Sequence, residues 1–100
     1  MITEDINIAK EIFSLLDEGI LNDYDSFIFK ADVHDSFIEC ELSVISEGIE
    51  NSDPETDYNS AILYDLIKDL KNKSIERDEE WKSFIMTYTE GGEVKTKFNR

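Results

Sequence analysis

Apolar residues recur along the first twenty positions at the spacing of a helix face. Ile2, Ile6, Ala9, Phe13, Leu16 and Ile20 are separated by steps of 4, 3, 4, 3 and 4, and Ile8, Ile12 and Leu15 widen the same stripe. The spacing predicts an amphipathic helix from about Thr3 to Glu18. Thr3 stands where an N-cap is wanted, and Glu4 and Asp5 suit the positive end of the helix dipole. Gly19 occupies the position at which many helices stop by turning left-handed.

The period then changes to two. Phe27, Phe29, Ala31 and Val33 alternate with Ser26, Lys30 and Asp32 across Tyr24 to Val33. Across Phe37 to Ile45, Ile38, Cys40, Leu42 and Val44 alternate with Phe37, Glu39, Glu41 and Ser43. Two strands follow, each with one apolar and one polar face, and His34-Asp35-Ser36 between them is short enough for a hairpin. Ser46 to Asp57 reads as an acidic loop containing Gly48. At its end Ser52-Asp53-Pro54-Glu55 has the composition of a helix start, with a capping oxygen, a proline for the first turn and acids beside it. A second helix is therefore expected over Pro54 to Lys71. Its apolar side is Ala61, Ile62, Leu63, Leu66, Ile67 and Leu70, with Lys68, Lys71 and Lys73 towards its negative end.

Trp81 to Thr89 reads as a third strand, with Lys82, Phe84, Met86 and Tyr88 on one side and Trp81, Ser83, Ile85 and Thr87 on the other. Glu90-Gly91-Gly92-Glu93 turns it back into Val94, Thr96 and Phe98. The order α-β-β-α-β-β has a simple compact solution. It is an α+β two-layer domain, a four-stranded antiparallel sheet with the two helices on one face. Residues 1–100 fit one such domain, and neither a repeat nor a linker divides them.

Charge changes the picture of partners. The chain of 100 residues has 24 Asp and Glu against 10 Lys and Arg, a formal net charge of −14. Binding to nucleic acid or anionic lipid requires a basic stripe, so neither is expected as a direct partner. The aromatic and branched residues throughout the chain argue against disorder. No apolar run approaches the roughly 18 residues needed to span a bilayer, and the first residues lack the basic start and apolar block of a secretion signal. A cytoplasmic location is the expectation.

Candidate chemistry is sparse. His34 lies beside Asp32 and Asp35 and could be imagined as a base, but no nucleophile accompanies it in a motif, and an exposed turn residue is the plainer reading. Cys40, the only cysteine, alternates onto the apolar face and reads as a small core residue. Asp53, Glu55 and Asp57 at alternate positions superficially resemble a calcium loop. Pro54 interrupts them, and Tyr58 and Tyr64 stand where such a loop needs glycine and glutamate. Gly91-Gly92 between two glutamates suits a hairpin turn and would repel phosphate. No catalytic residue, metal or cofactor is expected.

The distribution of the acids is more informative. Between Ala31 and Ile67 there are ten acids and no Lys or Arg. Residues 1–67 hold two bases and seventeen acids, net −15, whereas residues 68–100 hold eight bases and seven acids, net +1. Carboxylates without interspersed cations repel one another, and a partner of complementary charge would relieve that repulsion. Asp32, Asp35, Glu39, Glu41, Glu47, Glu50, Asp53, Glu55 and Asp57 are the expected partner-binding acids, with Phe37 as an aromatic anchor beside them.

Asp23-Tyr24-Asp25-Ser26-Phe27-Ile28-Phe29-Lys30-Ala31-Asp32-Val33 resembles the first strand of the YezG-like immunity proteins, small bacterial antitoxins encoded beside secreted nuclease toxins. Trp81, Phe84 and Gly92-Glu93-Val94-Lys95-Thr96-Lys97-Phe98 are similar to that family's closing hairpin. The likeness spans most of the chain in element order. Family members tend to close with an aromatic two positions after the phenylalanine, where this chain has Asn99 and Arg100. The resemblance implies a non-enzymatic inhibitor of a contact-dependent growth inhibition or secreted toxin, bound as a heterodimer with one toxin domain, usually a nuclease, and the acidity of this chain adds that the nuclease is basic. It carries over no catalytic residues and no fixed contact motif. An acidic secretion chaperone holding an effector segment is the alternative, and a small carboxylate enzyme is a third.

Overall fold

The computed structural model describes residues 3–100. It contains two helices, α1 (Thr3–Gly19) and α2 (Ser60–Glu76). Five strands accompany them: β1 (Ser26–Val33), β2 (Ile38–Ser46), β3 (Ile49–Asn51), β4 (Ser83–Thr89) and β5 (Lys95–Asn99). The strands form one antiparallel sheet in the order β3-β2-β1-β4-β5. The fold is α+β as the periodicities imply, with five strands where four are expected. Ile2 and the side chain of Thr3, the expected start of the helical stripe and its cap, lie outside the described residues.

Alternation places the core. On β1, Phe27 faces Val44 and Tyr88 across the ladders, Phe29 faces Leu42 and Met86, and Ala31 faces Cys40 and Phe84. Phe27, Phe29, Ala31, Phe84 and Met86 are fully buried, and both helices cover this one face with Ile8, Ile12, Leu16, Leu63, Ile67 and Leu70. Each large side chain so buried contributes about 1.5–3 kcal/mol.

Helix α1 is turned relative to its expected stripe. Ile6 is 39% exposed, whereas Asp5 is 4% exposed. Arg77, just beyond α2, grips Asp5 with two hydrogen bonds of 3.1 and 2.6 Å, so the buried line runs Asp5, Ile8, Ile12 and Leu16. The last helical residue of α1 is Gly19, and it serves a close approach rather than a left-handed stop. A Cβ there would lie 2.6 Å from the Cβ of Tyr58.

That approach explains where α2 begins. Leu21 N donates to Glu55 O at 2.8 Å, Asp57 N to Gly19 O at 2.8 Å, and Glu55 N to Asn22 Oδ1 at 2.8 Å. With Ile20 bridged to Thr56, residues 55–57 form an extended clasp against the end of α1 and cannot enter a helix at Pro54. The helix starts instead behind Asn59, whose Oδ1 accepts from Ala61 N at 2.9 Å and Ile62 N at 3.3 Å. It runs on to Glu76, so Lys68 and Lys71 lie within it and only Lys73 occupies its last turn. Ala61 and Ile62, expected on its apolar side, are exposed.

The additional strand follows from a turn. Glu47 and Gly48 have φ of 52° and 78°, and two consecutive left-handed residues make the tight hairpin connection that matches strand twist. The expected loop therefore folds back as β3. Trp81, expected on the side away from Phe84, precedes β4 and turns inward, 4% exposed, with its ring 5.5 Å from Phe84 and 5.4 Å from Phe98. Strand β5 pairs with β4 from Ser83–Asn99 to Thr87–Lys95 without a closing aromatic.

Removing one partner of a buried, bidentate ion pair strands the other, so Arg77→Ala is expected to lower the unfolding free energy by about 3 kcal/mol. Replacing both partners together, Asp5→Leu with Arg77→Met, should recover much of that loss. Urea titration measures both, and a single-variant loss below about 1 kcal/mol would contradict the structural role of the pair. Gly19→Ala should cost about 1–3 kcal/mol through the clash with Tyr58.

Candidate acidic surface

The structure distributes the ten sequence-selected residues over four places. Asp32, Glu39, Glu41 and Glu50 stand on the face of the sheet turned away from the helices, because their register partners and neighbours alternate with the buried set. Asp35 and Phe37 sit at the tip of the β1–β2 hairpin. Phe37 is 55% exposed and stacks on His34 at 4.4 Å, while His34 Nε2 lies 2.9 Å from Glu39. Asp53, Glu55 and Asp57 belong to the clasp and its approach, and Asp53 lines a concavity at the edge of β2 together with Glu41.

Glu47 belongs to a further site that combines residues remote in sequence. Asp17 at the end of α1, Asp23 and Asp25 before β1, Glu47 in the β2–β3 turn and Glu90 after β4 line one open concavity of about 560 Å³. Ile20, Asn22, Tyr24, Ser46 and Tyr88 complete its wall, and no Lys or Arg is among the described residues lining it. The strand order brings these acids together, since the start of β1 lies between the end of β2 and the end of β4. Glu90 N donates to Asp25 O at 2.7 Å, and Glu47 N donates to the Asp25 carboxylate at 2.8 Å, fixing two of the walls to the third.

The aromatic part of the wall is equally ordered. Tyr24 donates its hydroxyl to Asp17 and packs edge-on to Phe27 at 5.8 Å. Burial first, and then the Asp17 carboxylate, push the Tyr24 phenol well above its ordinary pKa, so it remains a neutral donor. The concavity thus offers carboxylates at its rim and a rigid aromatic floor. That combination suits the cationic head and apolar stem of an entering lysine or arginine.

Other candidates contribute no chemistry of this kind. No group of three or more His, Cys, Asp or Glu among the described residues is arranged to hold a metal ion. His34 is exposed at the hairpin tip. Cys40 is half-buried, packed against the core, and burial together with Asp32 pushes its thiol from the ordinary 9.0 up to about 11. No helix among the described residues is long and apolar enough to cross a membrane. Set beside known proteins, the chain matches no family model and no curated sequence.

A thiol shifted from 9.0 to about 11 has roughly a hundredfold less thiolate at pH 8. Alkylation of Cys40 in the folded protein should therefore be slower than in urea by at least about tenfold, because the greater nucleophilicity of a high-pKa thiolate offsets part of that factor. Equal rates in the two states would show that Cys40 is not held as described.

Proposed function

We propose that this chain is an immunity protein that binds and neutralises a toxin domain, a basic nuclease, through its acidic surface. The observation that carries the reading is the concavity in which Asp17, Asp23, Asp25, Glu47 and Glu90 converge with no Lys or Arg among the described residues lining it. A nuclease grips phosphates with Lys and Arg in its substrate cleft, and carboxylates held by hydrogen bonds can occupy those positions in place of phosphate. Inhibition then needs no chemistry from the inhibitor. The net charge of −14 supports the same reading, because it steers a basic partner to the surface and raises the rate of encounter. The likeness of β1 and the β4–β5 hairpin to the YezG-like immunity proteins points to the same partner class.

On this reading each copy of the protein binds one toxin domain, as a heterodimeric unit, in the cytoplasm of the producing cell, without cofactor and without touching nucleic acid or membrane itself. The remaining acids set the approach, and Glu47, the one sequence-selected acid lining the concavity, joins that approach to the anchor.

The test begins with the neighbouring gene, which on this reading encodes the toxin domain. Its expression should arrest growth, and co-expression of this chain should restore it; unrelieved arrest would end the immunity reading. Binding to the purified domain should weaken at least about a hundredfold in the triple variant Asp23→Lys, Glu47→Lys, Glu90→Lys, with a shallower salt dependence. The triple variant Glu39→Lys, Glu41→Lys, Glu50→Lys should lose far less. Unchanged affinity and salt dependence in the first variant would exclude the concavity as the contact.

A further inference from the structure

No element among the described residues covers the face of the sheet turned away from the helices, and the register fixes what it carries. Ile45 of β2, Ile28 of β1 and Ile85 of β4 follow one diagonal across its middle, and Ile28, in the central strand, is 40% exposed. On one side of this diagonal stand Glu39, Glu41 and Glu50, and on the other Lys95 and Lys97. Between them Lys30 and Asp32 pair at 3.7 Å. Four acids and three bases leave these strand positions at a formal −1 on a chain of −14. On this face a second acidic body meets far less repulsion than the charge of the whole chain implies.

We propose that this face binds a second copy of the chain, sheet against sheet. A two-fold axis parallel to β1 sets Ile28 against its counterpart and lays β2 over β4, and β3 over β5, of the second copy. The register then brings Lys97 of one copy beside Glu41 of the other, and Lys95 between Glu41 and Glu50, and the symmetry repeats both contacts. Lys30 meets its counterpart at the axis, accompanied by Asp32 and by Glu41, its partner in the ladder. A two-fold axis across the strands through Ile28 would instead turn β2, β3 and β5 onto their own counterparts, setting Glu50 beside Glu41 and Lys95 on Lys95 of the second copy. Charge complementarity therefore selects one of the two stackings. Stacked sheets lie about 10 Å apart, a gap that Ile, Lys and Glu side chains fill from both sides. At 0.15 M salt, charges beyond about 8 Å are largely screened, so the acids elsewhere on the two copies oppose the contact only weakly. The acidic concavity, with Tyr88 in its wall, lies at the helix-covered side of the sheet and stays accessible.

Sedimentation equilibrium of the full chain alone at 0.15 M salt tests this without the toxin, and so separates it from the immunity reading. The mass should rise with concentration towards twice 11.6 kDa. Ile28→Glu should weaken self-association at least roughly tenfold, with unchanged far-UV circular dichroism. Two charge variants distinguish this face from any other. Lys95→Glu with Lys97→Glu, and separately Glu41→Lys with Glu50→Lys, should each be monomeric, while an equal mixture of the two should dimerise. A monomer at every soluble concentration, a dimer indifferent to these substitutions, or a mixture that stays monomeric would each overturn the proposal.

Discussion

The two-sided pairing of β1 is the constraint on which the rest of the molecule depends. Every residue from Ser26 to Asp32 has one ladder partner in β2 and another in β4, so a shift of one position would transfer Phe27, Phe29 and Ala31 from the core to water. The same alternation determines the opposite face. Fixing Phe27 and Phe29 against the helices also fixes Ile28 and Lys30 on the open side, and through the ladders it aligns Glu41 and Ile85 with Lys30. One strand thus sets the packing of the core, the composition of the open face and the meeting point of the acids at its start.

The few cations of the chain are used with economy. Arg77 holds Asp5 and approaches Glu79, Lys71 pairs with Glu80 and lies 5.2 Å from the Trp81 ring, and Lys73 pairs with Glu4 and Asp69. Most of these join α2 and the segment after it to α1 or to the start of β4. They neutralise the seam between the helices and leave the end of the sheet with carboxylates alone. The acidity available to a partner is therefore a product of where the bases were needed for folding, as much as of how many acids there are.

Much of the fold was legible because period and burial agree. Both strands of the first hairpin and the closing hairpin stand where the pattern places them, as do the central turns of both helices, although Ile6, Ala61, Ile62 and Trp81 do not take their expected sides. The misplaced features share a physical cause, since each depends on a contact distant in sequence. Asp5 looked like a solvent-facing first-turn acid because its partner is Arg77, 72 residues away. Pro54 looked like a helix start because nothing local reveals that residues 55–57 are held by the end of α1. Strand β3 is three residues long and exposed throughout, with no alternation to read. Glu47-Gly48 was its only local signal, an equivalent of the Asp-Gly turn. The acidic concavity was less legible still. Only Glu47 of its five carboxylates falls within the cation-free segment, and the others converge because of strand order, which composition does not encode.

The clasp at residues 55–57 has a dynamic consequence. It joins an acidic loop to the last turn of α1, which carries Asp17 and Glu18 and no base, so like charges are held together by a few backbone hydrogen bonds and the packing of Tyr58 on Gly19. Segments with few apolar contacts open locally at a lower free energy than the core. Here the opening is also driven by repulsion that salt screens. Salt that screens these carboxylates should therefore hold the segment between the two helices more tightly, and low ionic strength should favour its local opening.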